Sequence, residues 1–311
     1  MMNPYEELLL NLVEHDERYV VLTAENRGHM RTVPPKLGNR FIDVGIAEQT
    51  MIGVAAGLAS QGRIVITHAL AAFLTLRPFE FIRDDVGIPN LPVILVGMVP
   101  GVLSDANGPT HQAVDDVAIM RGIPNMGVFC PSDIDDFILG MKVITRLQQP
   151  YYVRYIASTS VVEHRPTFVS GESEVVIGGE GGSFDVTILT YGYLLRECVE
   201  ATHHLEKQGL RVRLVNMRTL DPVDTSMMVR AANDSHLVVT VEDHFATGGL
   251  RTILAETLLD AQATCASFHV NIGDRWFTPA RLSEVLDVER LSAKHLSQRI
   301  LSVLETAHVE H

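Results

Sequence analysis

A glutamate at a helix start, an apolar triplet at helical spacing and a histidine in a turn-rich loop are the residues of this chain best suited to chemistry. Glu48 follows Phe41-Ile42-Asp43-Val44-Gly45-Ile46-Ala47, where a strand or loop gives way to a helical pattern. Phe73, Leu76 and Phe79 come after the apolar run Arg63–His68, and His111 lies in Asn107-Gly108-Pro109-Thr110-His111-Gln112, after the run Leu91–Met98. A carboxylate can share a proton, apolar side chains can wall a flat ligand, and an imidazole can hydrogen-bond or move a proton near neutral pH. Taken singly, each has an ordinary structural reading. Glu48 suits the helix dipole, the triplet suits a core-facing stripe, and glycine and proline beside His111 are normal turn chemistry. Their shared position after successive strands places all three at one edge of a sheet, where α/β sites form.

The elements that must position them are legible. Tyr19–Ala24, Arg63–His68, Leu91–Met98, Met126–Cys130 and Tyr151–Tyr155 read as strands; Ala47–Ser60, Pro78–Val86 and Ser132–Leu147 read as helices. Pro131 followed by Ser132-Asp133 gives a cap and early negative charge for the last of these. Strands apolar on both faces and alternating with helices predict a mostly parallel sheet covered on both sides. Periodicity weakens over 161–184, which contains Pro166 and the cluster Gly178-Gly179-Glu180-Gly181-Gly182; this segment reads as a linker. Alternation resumes with strands Val186–Thr190, Val212–Asn216, Leu237–Val241 and Phe268–Ile272 and helices Leu194–Gln208, Thr225–Ala232 and Leu250–Leu259. The fold class is therefore α/β in two domains, 1–160 and 185–311, each a mostly parallel sheet covered by helices.

Composition narrows the partners. A formal net charge of −13 without a basic stripe excludes nucleic acid and anionic membrane surfaces. The apolar runs are strand-length, too short to span a bilayer, and the N-terminal residues carry no signal-peptide pattern, so a cytoplasmic location is expected. Cys130, Cys198 and Cys265 are widely spaced and show no metal or redox pattern; they read as buried thiols. Asp105, Asp115 and Asp116, near His111, read as solvated loop and helix-start charges.

The joint order Gly45-Ile46-Ala47-Glu48, Phe73-Leu74-Thr75-Leu76 and Gly108-Pro109-Thr110-His111-Gln112 resembles the pyrimidine-binding domain of the transketolase family. The resemblance continues through Ile123-Pro124-Asn125-Met126 and Pro131-Ser132-Asp133. It then covers the second half: Tyr191-Gly192-Tyr193, Val215-Asn216-Met217-Arg218-Thr219-Leu220-Asp221-Pro222, Val241-Glu242-Asp243-His244 and Gly248-Gly249-Leu250. It implies a thiamine-diphosphate enzyme that transfers a two-carbon ketol unit from a ketose to an aldehyde. Glu48 matches the glutamate that hydrogen-bonds the pyrimidine ring, letting the cofactor's own amine remove the reactive carbon's proton. Phe73, Leu76 and Phe79 match the pyrimidine pocket, with Leu76 replacing an aromatic or arginine side chain. His111 matches the histidine facing substrate, and His244 a recurrent residue given a structural role here. No Gly-Asp-Gly of the family's Mg²⁺ and diphosphate motif occurs in the chain, which implies that a partner subunit holds both, as a heterotetramer with two of each.

Departures from the family bear on substrate. A histidine twelve residues before His111 is replaced by Val99, and an arginine three beyond Arg154 by Ala157. Each lost cationic donor weakens phosphate binding by about 1.5–3 kcal/mol. Asn107 stands where transketolase has an aspartate that reads an acceptor hydroxyl. An acceptor other than an ordinary sugar phosphate is therefore expected. The alternatives are the beta subunit of a 2-oxo acid dehydrogenase first component, a deoxyxylulose-phosphate-synthase-like carboligase, or an inactive scaffold subunit; Gly108–Gln112 favours transketolase over the dehydrogenase, and the joint presence of Glu48 and His111 disfavours a scaffold.

Overall fold

In a computed structural model, which describes residues 2–309, two sheets carry the chain. The first has strands β1 (Tyr19–Thr23), β2 (Phe41–Asp43), β3 (Ile64–Leu70), β4 (Val93–Met98), β5 (Gly127–Phe129) and β6 (Tyr151–Tyr155). The second has β7 (Glu174–Ile177), β8 (Phe184–Thr190), β9 (Val212–Asn216), β11 (Ser235–Val241) and β12 (Ser267–Val270). One short strand, β10 (Thr219–Asp221), leaves the second half of the chain and joins the first sheet.

The first sheet runs β10-β5-β6-β4-β3-β1-β2, parallel except for β10; the second runs β12-β11-β8-β9-β7, parallel except for β7. All residues of β1, β4 and β6 are buried, so these strands read as unbroken apolar runs rather than alternating ones. The helices Glu48–Ser60 and Ile134–Ile144 cover the first sheet, and Leu195–Glu206, Leu250–Asp260 and Ala293–Val309 are the longer helices of the second half. Asp133, rather than Ser132, caps Ile134–Ile144: its Oδ1 accepts the Asp135 and Asp136 amides, both at 3.0 Å. A regular helix over Pro78–Val86 does not form. Ala71–Leu76 is followed by a single turn at Phe79–Phe81 and a π-helical stretch at Ile82–Gly87; Pro78 lacks the N–H that would continue the ladder.

Residues 174–177, read from sequence as part of the connecting segment, form an antiparallel edge strand of the second sheet. Four residues show too little periodicity to announce themselves, and β9 supplies the ladder that makes them a strand. Cys130 and Cys198 are buried, with their thiols pushed up by burial, and Cys265 is half-buried.

Two buried charge clusters tie the halves together. Asp116 is not a solvated helix-start charge. It is fully buried, and its carboxylate accepts Arg154 Nη2 at 2.6 Å, Arg154 Nε at 2.9 Å and the Tyr152 hydroxyl at 2.5 Å. Arg154 also donates from Nη1 to Asp243 of the second half at 2.6 Å. Burial alone would push Asp116 up, but the facing guanidinium holds it below the usual carboxylate range. In the second cluster, His164 donates to Asp133 (2.8 Å) and Glu174 (2.7 Å), and Arg218 Nε donates to Asp136 (2.7 Å). Charges this deeply buried persist because each has partners, most of them distant in sequence.

Candidate active site

Glu48 owes its position to the turn after β2. The chain leaves Asp43, bends at Gly45, whose φ of +73° favours glycine, and enters the helix Glu48–Ser60. The Asp43 carboxylate fixes this bend. Its Oδ1 accepts the Gly45 amide at 2.9 Å and the Glu25 amide at 3.1 Å, while Oδ2 accepts Arg27 Nε at 2.5 Å. Burial raises the Asp43 pKa, but these donors outweigh it and hold the group below its ordinary value. The segment bearing Glu48 and the loop after β1 are thus fastened to one carboxylate.

Glu48 is 3% exposed and opens onto a cleft of about 320 Å³. Ala24, Glu25, Asn26, Arg27, Gly28 and Leu70 form much of its wall, with Ile46 and Phe73. The volume is at the small end for a ligand pocket. The Glu48 carboxylate is met by Arg77, whose Nη1 donates to Oε1 at 2.8 Å and Oε2 at 3.0 Å. The same guanidinium lies over the Phe73 ring, 3.7 Å from its centroid. Phe73 also meets His111 edge-on, with centroids 4.8 Å apart, and His111 Nδ1 lies 2.9 Å from the Thr110 hydroxyl. Glu48, Phe73 and His111, from three distant stretches of chain, therefore form one continuous surface.

Leu76 and Phe79 do not line this cleft. Leu76, at the last residue of its helix, is 50% exposed, and Phe79 packs half-buried against the core of the first domain. Arg77 instead faces Glu48, because residues four apart lie one above the other on a helical turn and Arg77 follows Phe73 by four. The guanidinium that meets Glu48 thus comes from the residue after Leu76. Asn107 is exposed in the loop before His111. Val99 packs against the core beneath β4 and Ala157 is exposed, so neither place presents a cation. His244 bridges the halves: its Nδ1 donates to the Phe245 carbonyl at 2.9 Å and its Nε2 accepts the Ala118 amide at 3.3 Å.

The cleft suits an aminopyrimidine. A planar N–H donor, the Arg77 guanidinium, already sits between a buried carboxylate and an aromatic face, the two features such a ring would use. Among the described residues, no group of three His, Cys, Asp or Glu side chains could hold a metal ion, and no helix is long and apolar enough to cross a membrane.

Family models match both halves: "Transketolase, pyrimidine binding domain" over residues 1–158 and "Transketolase, C-terminal domain" over 175–296. The chain is 32% identical over 311 residues to a putative transketolase C-terminal section of Methanocaldococcus jannaschii, covering 98% of this chain and 96% of that protein. Over 262 residues it is 35% identical to the 6-deoxy-6-sulfo-D-fructose transketolase subunit SqwH of a Clostridium species, covering 83% and 80%. A solved structure described as split gene transketolase, inactive beta4 tetramer, shares 31% identity and a TM-score of 0.84, covering 97% of this chain and 96% of that one. The chain belongs to the transketolase family, and its two α/β halves are that family's pyrimidine-binding and C-terminal domains.

Proposed function

We propose that this chain is the pyrimidine-side subunit of a cytoplasmic, thiamine-diphosphate-dependent transketolase. It moves a two-carbon ketol unit from a ketose to an aldehyde together with a separate diphosphate-binding subunit, two copies of each. The reading rests above all on Glu48, a buried carboxylate facing a cleft beside Phe73 and already engaged by a planar N–H donor. Thiamine diphosphate, when bound, supplies a nucleophilic carbon through loss of a ring proton. Glu48 would hold a proton at the pyrimidine ring, where low local dielectric strengthens the hydrogen bond. Phe73 and the exposed Ile46 offer apolar contact to a flat ring. The Thr110 hydroxyl can donate to His111 Nδ1, which places the imidazole hydrogen on Nε2, the atom left for substrate oxygens. Diphosphate and Mg²⁺ are assigned to the partner subunit.

The substrate is read from what replaces the family's cationic positions. Val99 and Ala157 present no charge, and Asn107 adds N–H donors where an aspartate would only accept. We therefore assign an acceptor other than a standard sugar phosphate. The test is the enzyme reconstituted with its diphosphate-binding subunit. Glu48→Gln should lower ketol transfer by about 100-fold or more, the scale of losing a positioned proton donor; unchanged turnover would exclude the role. Turnover of phosphorylated pentoses at the rate of a housekeeping transketolase would overturn the substrate assignment alone.

A further inference from the structure

The loop that carries His111 runs from β4 to the helix Asp116–Met120, and the second domain holds it at points spread along its length. At its start, the Val102 amide donates to the Asp243 carboxylate at 3.2 Å. Next, the Asp105 carbonyl, two residues before Asn107, accepts the Ala280 amide at 3.1 Å. At its end, the Phe245 amide donates to the Val114 carbonyl at 2.8 Å. Between them lies Gln112, next to His111 and 1% exposed, whose Nε2 donates to the Phe277 carbonyl at 2.9 Å. Its Oε1 is buried with no hydrogen-bond partner among the described residues. Within itself the His111 turn is closed by His111 N to Gly108 O at 3.0 Å and by Gln112 N to Pro109 O at 3.4 Å, the second beyond the usual range of such bonds.

We propose that the second domain acts in catalysis as a clamp on this loop, and that Gln112 is the positioning residue that transmits it to His111. A buried amide that leaves one of its own polar atoms unsatisfied is costly. Its bond to Phe277 fixes the backbone one residue from His111, whose ring meets the Thr110 hydroxyl and Phe73. Loss of that bond frees the ring to drift, and small displacements of a catalytic group cost large factors in rate.

The inference rests on the functional reading above, and the experiment separates the two. In the reconstituted enzyme, Gln112→Met keeps the bulk but removes the donor. It should lower kcat about tenfold or more, leave thiamine diphosphate affinity, set at the Glu48 end, within about twofold, and leave the circular-dichroism melt unmoved. In a His111→Ala background the same change should cost less than about twofold, because groups acting as a unit are not additive. Gln112→Glu gives a second readout: only its protonated carboxyl can donate to Phe277, so its activity relative to wild type should recover from about pH 8 to about pH 5. Wild-type kcat in Gln112→Met, equal losses in both backgrounds, or a Gln112→Glu deficit independent of pH would each overturn the clamp. Full turnover in His111→Ala would instead overturn the functional reading, and the clamp with it.

Discussion

Among the described residues Glu48 has one ion-pair partner, Arg77, and that partner determines how the buried carboxylate is satisfied. From one guanidinium nitrogen Arg77 donates to both carboxylate oxygens, and the same group covers the Phe73 face. Glu48 is nearly fully buried while Arg77 is 40% exposed, so the arginine is the partner with somewhere to go. Arg77→Met keeps aliphatic packing over Phe73 but leaves a buried carboxylate unpaired, which costs on the order of 1–3 kcal/mol. Denaturant melts of the chain should show that loss, and a simultaneous Glu48→Gln should reverse most of it. A loss of the same size in both backgrounds would mean the two side chains do not interact.

At the scale of elements, the strand-to-loop junction after β4 is held by shape as well as by hydrogen bonds. Gly101 has φ +57°, and a Cβ there would lie 1.8 Å from the Asp243 carboxylate, the group that pairs Arg154 across the two halves. Gly101→Ala would add backbone strain of about 1 kcal/mol and displace Asp243 from its buried partner, a break of about 3–5 kcal/mol. We expect a chain that is soluble but melts many degrees lower, or fails to fold; a thermal midpoint within a degree or two of wild type would show that Asp243 has room to move. The N-terminus of the helix Ile134–Ile144 is a second such junction. Asp133 both caps it and accepts His164 from the connecting segment, so Asp133→Ala should exceed the roughly 1 kcal/mol of an ordinary cap in urea melts.

Across the whole molecule, the charge cluster around His164 joins the first domain, the connecting segment and the second sheet, and it carries a pH signature. Burial pushes the His164 pKa down, but hydrogen bonds to Asp133 and Glu174 more than offset this and raise it to about 10. The same contacts hold Asp133 and Glu174 below the ordinary carboxylate range despite burial. A histidine whose folded pKa lies above its unfolded value of 6.5 stabilises fully below that value and loses the contribution as pH rises through about 10. The two carboxylates work in the opposite direction: their contribution is present above the unfolded carboxylate range and lost as pH falls below it. Thermal midpoints should therefore fall steadily from about pH 7 to about pH 10, and His164→Gln should flatten that slope. Parallel slopes in the two proteins would show that His164 does not carry the effect.

Much of this was open to a reader of the sequence alone. Strand–helix alternation and strands apolar on both faces determined the α/β class and the two domains, because backbone periodicity is written locally. The order of Glu48, Phe73 and His111 after successive strands predicts that they gather at one sheet edge; the contacts of Phe73 with His111 and with the Arg77 that meets Glu48 belong to the packed structure. What sequence could not determine was anything made by two distant segments. Arg77 rather than Leu76 meets Glu48 because Pro78 ends the helix and a four-residue spacing stacks Arg77 on Phe73. Strands β7 and β10 are too short to show periodicity and exist only through their long-range ladders. Asp116, which reads as a solvated charge, is buried because Arg154 and Tyr152 on β6 are there to satisfy it, and Gln112 binds a carbonyl far along the chain. Local pattern decides which elements form. Which buried polar groups are satisfied, and by whom, is decided only when the elements pack.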